Sequence, residues 1–281
     1  MSGDTTIQRA RALAAACAAH DGVPPFNDQA LVELERGERR TIGDARALAV
    51  VSDRDREVEL AVAPDARGQG RGLALARRVA DELGTFDAWS HGDLPAARAI
   101  AEALGMTSVR TLLQLRAPVP AAPADGPDRL PDGVRPFEPA DASALLALNA
   151  IAFADHPEQG RMTADDLAAR MAEPWHDDAN LVVIDGTGSS DPGGLDAFGW
   201  VKPDGDIAEL YVLGVSPERQ GAGLGKRMLA AVFVRMRALG ATTAHLYVEG
   251  DNAPALALYE RAGFERWAID VRWRHAPSTD G

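Results

Sequence analysis

The sequence predicts an α+β protein made of two tandem units, and three observations carry that reading. A strand, a glycine loop and an amphipathic helix occur at residues 57–83 and recur at 208–239. A second glycine-centred pair follows each, Gly105-Met106 in the first and Gly263-Phe264 in the second. Between the two copies, residues 117–128 carry Pro118, Pro120, Pro123, Gly126 and Pro127, a density of breakers that marks a linker. The chain has 281 residues, enough for one large or two small domains, and 46% hydrophobic with 25% charged residues makes it globular. The expected division is residues 1–117, a linker at 118–131, and residues 132–281.

Taken in order, residues 7–20 and 27–36 read as two helices, separated by Asp21-Gly22-Val23-Pro24-Pro25, where proline ends the first. Residues 45–51 form a short apolar strand, and Glu57-Val58-Glu59-Leu60-Ala61-Val62 alternates like a half-buried one. Pro64-Asp65-Ala66 turns the chain into Arg67-Gly68-Gln69-Gly70-Arg71-Gly72, which opens a helix through Leu83. Residues 86–91 form a strand, Pro95 starts a helix ending near Leu104, and residues 109–116 alternate as a strand. After the linker, Val134-Arg135-Pro136-Phe137 begins a fresh sheet, and a helix runs from Pro139-Ala140-Asp141 to Ala152. Thr163 caps a helix through Ala172, with Asp165 and Asp166 in its first turn. Residues 180–184 and 197–201 pair as a hairpin. The strand Leu210-Tyr211-Val212-Leu213 leads through Ser216-Pro217-Glu218 to a helix on which Leu224, Met228, Leu229, Val232, Phe233, Met236 and Leu239 share a face. Leu246-Tyr247-Val248 is the neighbouring strand, and residues 267–274 close the sheet of the second unit. The first unit has one apolar strand before its glutamate strand where the second has at least two, so it reads as trimmed.

Composition excludes several function classes. A net charge of −13 disfavours nucleic acid and anionic membrane partners. The single cysteine, Cys17, lies in an alanine run and reads as a small core residue. It cannot form an internal disulfide, which points to a reducing, cytoplasmic setting. No stretch reads as a signal peptide or a membrane span. The six histidines and one cysteine show no metal-ligand spacing, so no metal is expected.

The glycine loops carry the chemistry. Gln220-Gly221-Ala222-Gly223-Leu224-Gly225 lets the backbone curl around an anion at a helix N-terminus. It is neither G-x-G-x-x-G nor a P-loop, although Lys226 follows it. Glu209 lies on the strand before the loop, and Asn252-Ala253-Pro254-Ala255-Leu256-Ala257-Leu258-Tyr259 lies after it. Glu59 stands before the first loop much as Glu209 stands before the second.

This set resembles the GNAT family of acetyl-CoA-dependent N-acetyltransferases. The resemblance implies two tandem GNAT domains, each a mixed, mostly antiparallel sheet flanked by helices. It implies that Leu213, Gly214 and Val215, the loop from Gln220 to Lys226, and Asn252, Ala253, Pro254, Ala255, Leu256 and Ala257 hold acetyl-CoA. In the first unit Leu60, Ala61 and Val62 with Gly68, Gln69, Gly70, Arg71, Gly72 and Leu73 would hold a second, non-reacting molecule. The HPEQG loop, Gly199-Trp200-Val201-Lys202 and Leu246-Tyr247-Val248-Glu249 resemble a tandem branch of the family acting on a small-molecule amine, cysteinyl-glucosaminyl-inositol. That branch implies substrate contacts from Asp28, Glu158, Lys202, Glu209 and Tyr247. Asp28 stands where the branch usually has glutamate. An aminoglycoside, polyamine or peptide acceptor, or an acetyl-CoA sensor without catalysis, remains open at this point. The chain is expected to work as a monomer.

An amine must attack as the free base, and an α-amine with a pKa of about 7.7–8.0 is partly neutral near pH 7. Glu209 is the expected general base, and Tyr259 the expected donor to the leaving sulfur, against the plainer readings of strand surface and helix packing. In the first unit Ala101 takes the place of Tyr259 and Leu94 that of Asn252, so that unit is expected not to catalyse. Arg67 and Arg71 are expected to favour phosphate there.

Overall fold

The computed structural model describes residues 2–122, 124, 128–154, 156, 159–186 and 194–277. These fold as two compact units. One holds the described residues up to Leu113 together with Glu249–Asp251 and those from Trp267 on; the other holds Gln114 to Val248 and Asn252–Arg266.

The first unit begins with α1 (Ser2–Asp21) and α2 (Asp28–Arg36), followed by β1 (Arg40–Gly43), β2 (Ala47–Ser52) and β3 (Glu57–Val62). Then come α3 (Arg71–Leu83), β4 (Phe86–His91), α4 (Pro95–Ala103) and β5 (Thr107–Pro118), inside which the two units divide. The second unit adds β6 (Arg135–Pro136), α5 (Ala142–Ala152), α6 (Ala164–Met171), β7 (Leu181–Asp185), β8 (Leu195–Asp204) and β9 (Ile207–Val215). It continues with α7 (Leu224–Ala238), β10 (Thr243–Glu249) and α8 (Ala253–Arg261), and the chain's last strand is β11 (Glu265–His275).

In the first unit the strands lie in the order β1-β2-β3-β4-β11-β5. β1 with β2, β2 with β3 and β4 with β11 are antiparallel, while β3 and β4 are parallel. β2, Ala-Leu-Ala-Val-Val-Ser, is buried along its whole length because both faces are covered. Leu48 and Val50 pack with Phe26 of the segment before α2, and Ala49 and Val51 pack with Leu75 and Val79 of α3. β1 was not foreseen. Arg-Thr-Ile-Gly lacks the apolar run of its neighbour, and pairing with β2 makes it a strand. The first unit still has one strand fewer before β3 than the second has before β9.

The second unit has the order β5-β10-β9-β8-β7-β6, with β9 and β10 parallel and β6 to β9 antiparallel. Leu181 and Val183 face the core of α5 and α6, and Val182 and Ile184 face α7. Both sheets are mixed and mostly antiparallel, as the resemblance implied.

The units do not follow the contiguous division expected from the linker. β11, read as closing the second unit's sheet, pairs with β4 of the first, Asp270 opposite His91 through His275 opposite Phe86. Its side chains find their partners there. Arg272 and Arg274 reach Asp87 at 2.9 and 2.8 Å, and His275 Nδ1 lies 2.7 Å from the Gly84 carbonyl oxygen. Strand partners this distant in sequence leave no local signal.

Candidate functional site

In the second unit the parallel register of β9 and β10 ends at Leu210 opposite Leu246, yet β9 runs on to Val215 and β10 to Glu249. Beyond that point the edge of β9 turned away from β8 offers backbone N–H and C=O groups to a ligand rather than to a strand. Leu213, Gly214 and Val215 lie there, paired on their other edge with Gly199, Phe198 and Ala197 of β8. The chain then turns at Pro217–Arg219 into the loop, where Gly221 and Gly223 both adopt φ near +80°. Side-chain-bearing residues rarely hold that backbone, and it aims the loop amides toward the start of α7. Gln220, Gly221, Ala222, Gly223 and Lys226 are exposed, while Leu224 is buried under the loop. A Cβ on Gly225 would meet Leu258 of α8 at 3.3 Å, so a glycine here lets α8 close against the loop. Asn252 caps α8, its side chain accepting from Ala255 N–H at 3.1 Å, and Pro254 stands in the first turn. Ala253 and Pro254 are exposed, and Ala255, Leu256 and Ala257 are half-buried. A free edge, an amide cradle and a helix N-terminus fit an elongated ligand with an amide-bearing arm and a pyrophosphate, the form of coenzyme A.

Across the floor of this opening, three adjacent strands bring Lys202, Glu209 and His245 into register. Cross-strand partners project to the same face of a sheet. The register between β8 and β9 shifts between Trp200 and Val201, so Trp200 faces Val212, Val201 faces Leu210, and Tyr211 is the extra residue of a β-bulge. The bulge turns both Tyr211 and Val212 toward the α5 and α6 core. Tyr211 meets Trp175 at 5.3 Å and Trp200 at 5.7 Å between ring centroids. The Lys202 ammonium lies over Trp175 and Tyr211, 5.7 and 5.9 Å from their centroids. Burial lifts the Glu209 carboxyl above the usual carboxylate range, the Lys202 ammonium pulls it back, and Asp204 lifts it again. His245 is buried and stacks on Tyr247 at 5.0 Å, and Tyr247 is 45% exposed. Tyr259 is buried against Phe264 at 5.6 Å, and burial pushes its hydroxyl up to about 12.

Among the expected substrate contacts, the structure brings Lys202 and Glu209 together on the face that carries Tyr247. Glu158 lies outside the described residues. Asp28 begins α2 in the first unit and is exposed. Sequence reasoning missed Trp175, Tyr211 and His245. Trp175 sits in an unpatterned turn, and Tyr211 reaches this face only through the bulge, which strict alternation hides. His245 was findable as the strand neighbour of Glu209.

The first unit repeats the geometry with different contents. The register of β3 and β4 ends at Glu59 opposite Trp89, leaving Leu60, Ala61 and Val62 beyond it. Gly68 and Gly70 have φ of 72° and 75°, and Gly70 leads into α3. A Cβ on Gly72 would meet Ile100 of α4 at 3.0 Å, just as Gly225 meets Leu258. Ala101 therefore follows Ile100 as Tyr259 follows Leu258, and both are buried. A cavity of about 370 Å3 opens here, lined by Leu60–Val62, Gly68, Gly70 and Arg71–Leu73 among others. Gln69 is exposed in the loop.

Two expectations change in this unit. Glu59 is not the counterpart of Glu209. With the loops aligned it matches Val212, and it is fully buried. It accepts from Asn27 N–H at 3.0 Å and lies 3.3 Å from His91 Nε2, while His91 Nδ1 lies 3.5 Å from Asp270. Burial pulls the His91 pKa down, but its bonds to Asp270 and Glu59 outweigh that and hold it up at about 10, so it is an imidazolium. Arg67 is not free for phosphate either. It donates to both Asp21 oxygens at 2.7 Å and to the Val62 carbonyl at 3.0 Å. Arg71 alone stays at the loop, exposed, 3.3 Å from Asp44.

Comparison with known proteins gives the chain's relatives in sequence and fold. The Acetyltransferase (GNAT) family pattern matches residues 149–264. A mycothiol acetyltransferase of Clavibacter sepedonicus is 45% identical over 94% of this chain and 90% of its own length. One from Thermomonospora curvata is 41% identical over 98% and 95%. In fold, a GCN5-related N-acetyltransferase from Sphaerobacter thermophilus superposes with a TM-score of 0.70 at 22% identity, covering 96% of this chain and 92% of that one. A tandem GNAT protein from the clavulanic acid biosynthesis pathway gives 0.63 at 20% identity, covering 98% and 96%.

Proposed function

The chain belongs to the mycothiol acetyltransferase family of GNAT acetyltransferases, and from that premise we propose that it acetylates the cysteinyl amine of cysteinyl-glucosaminyl-inositol, giving mycothiol and CoA. The observation that carries the reading is Glu209, lifted by burial, standing in register between Lys202 and His245 where β9 and β10 part.

Acetyl-CoA supplies an activated thioester carbonyl. The free edge at Leu213–Val215 orients it and offers amide donors to the oxyanion that develops on attack. Glu209 takes the proton the amine sheds, directly or through one water. A raised carboxyl is a stronger base than a free one, and the Lys202 ammonium favours its ionised form. Tyr259, near 12, is a far weaker acid than a thiol near 8.5, so it steadies the departing sulfur by hydrogen bonding and keeps its own proton. The Trp175–Tyr211 wall and the Lys202 ammonium offer an apolar face and a donor, a pairing suited to a sugar ring and its hydroxyls. Asp28 and Glu158 would serve the same acceptor. The first unit would hold a second CoA ester without turning it over, because Ala101 and Leu94 replace Tyr259 and Asn252. A small, thiol-bearing acceptor and one buried cysteine fit a monomeric cytoplasmic enzyme with no nucleic acid partner.

The test is a panel of amines with acetyl-CoA, read by CoA release. Cysteinyl-glucosaminyl-inositol should be turned over with the highest kcat/KM. Good turnover of polyamines or aminoglycosides, with none of this compound, would overturn the assignment.

A further inference from the structure

Lys202 and Glu209 stand directly opposite each other on β8 and β9. Opposite cross-strand residues carry their Cβ atoms about 5 Å apart, so a lysine and a glutamate there can close into an ion pair. Among the described residues these two make none. The ammonium lies instead over the rings of Trp175 and Tyr211, 5.7 and 5.9 Å from their centroids. The negative face of each ring attracts it, indole most strongly, and two rings compete with one half-buried carboxylate.

Both rings are held in place. Trp175 packs on Trp200 at 5.5 Å and on Tyr211 at 5.3 Å, and His176 sets its edge against Trp200 at 5.3 Å. Trp200 is fully buried, so the wall rests on the core of the unit. Glu209, by contrast, accepts no hydrogen bond among the described residues. The charged and titratable groups around it are Lys202 and Asp204 of β8, His245 and Tyr247 of β10, and, with the rings, Arg170 of α6 and His176. His176 is engaged with Asp178 at 2.9 Å, and Arg170 lies over Tyr211 at 5.7 Å and reaches Gln159 at 3.4 Å. Lys202 is the cation whose charge reaches the carboxyl. Closed onto it, the ammonium would lower its proton affinity and occupy the oxygens that must meet the amine.

We propose that Trp175 and Tyr211 are positioning residues for the base: by holding the Lys202 ammonium over their rings, they keep it from closing onto Glu209 and leave the carboxylate free to take the amine's proton. This rests on the reading of Glu209 as the general base and adds the device that keeps it open. The ammonium so held still offers its N–H donors to the acceptor.

The experiment follows the side-chain carboxyl carbon of Glu209 by carbon-13 NMR through a pH titration of the full chain, with Glu209→Gln to assign the signal. Trp175→Leu removes the stronger ring and keeps apolar bulk. The freed ammonium should pair with the carboxylate and lower its titration midpoint by about one pH unit or more. The kcat should fall with it, while the KM for acetyl-CoA stays in place. Leucine also admits water to the carboxyl, which lowers the midpoint whatever the lysine does. Lys202→Met separates the two effects: with it already present, Trp175→Leu should move the midpoint by less than half as much. Tyr211→Leu carries the same expectations if the tryptophan variant does not fold. An equal drop in both backgrounds, or a drop in neither, would overturn the positioning role and leave Glu209 standing as the base. A drop that needs Lys202 but leaves kcat unchanged would overturn the base reading itself.

Discussion

At the residue scale the chemistry converges on Glu209. Its carboxyl is raised by burial, so the folded protein holds the proton more tightly than the unfolded chain. The ionised form is therefore destabilising at neutral pH, and that strain relaxes as pH falls through the folded value. Glu209→Gln should lower kcat by about 10²-fold or more, leave acetyl-CoA affinity unchanged, and raise the melting temperature at pH 7. An unchanged kcat would make Glu209 an ordinary strand residue. For the wild type, kcat/KM corrected for the fraction of unprotonated amine should fall on the acid side with an apparent pKa above 4.5, and that fall should disappear in the variant. Tyr259→Phe keeps the packing against Phe264 and removes only the hydroxyl. With that hydroxyl near 12, the loss should stay within about 10- to 150-fold in kcat, the range of one hydrogen bond to a charged group. A loss of about 10³-fold would mean that the proton itself is transferred.

Elements decide how these residues meet. The bulge at Tyr211 changes the phase of β9, so Glu209, Tyr211 and Val212 share one face while Leu213 and Val215 turn toward α7. β11 does comparable work in the first unit, where Asp87 of β4 is gripped by Arg274 and Arg272. The hydrogen bond from Arg274 and the charge of both arginines outweigh partial burial and hold the Asp87 carboxyl below its usual range. A depressed carboxyl contributes stability above the unfolded pKa of 3.8 and loses it as pH falls through the folded value. Asp87→Asn should therefore destabilise by about 1–3 kcal/mol at pH 7, with the gap from wild type shrinking below about pH 4. A gap independent of pH would show that packing, not the ion pairs, holds the strand. Ending the chain after Phe264 should unfold the first unit, seen as lost protection of β4 amides in hydrogen exchange. Persistent protection would show that β4 does without β11.

On the scale of the whole molecule, one architecture appears twice with different fillings. The second unit pairs a half-buried base with a sealed aromatic stack. The first puts a buried glutamate, Glu59, where the second has Val212, and spends its buried charge on structure, as Glu59, His91 and Asp270 bind one another. The His91 pKa, raised to about 10, means that its contribution is complete below 6.5 and is lost as pH rises through about 10. His91→Leu leaves two buried carboxylates without their cation and should destabilise by about 3–5 kcal/mol at pH 7. A chain that melts unchanged would show that water reaches both carboxylates.

The sequence by itself determined the duplicated α+β plan, both glycine loops, Glu209 ahead of the second loop, and the Ala101-for-Tyr259 exchange. These are local signals: a period, a turn residue, a fixed spacing from a glycine pair. It also placed Lys202 and Tyr247 on strands that meet Glu209. Tertiary structure alone decided the rest. β1 became a strand because β2 offered it an edge, and β11 chose β4 because Asp87 and Gly84 were there to receive its arginines and histidine. Arg67 looked free for phosphate until Asp21, far away in the chain, claimed it. Trp175 and Tyr211 joined the site through a turn and a bulge that no periodicity announces. Pairings between distant residues depend on which surfaces the fold brings together, and the chain records those only once it has folded.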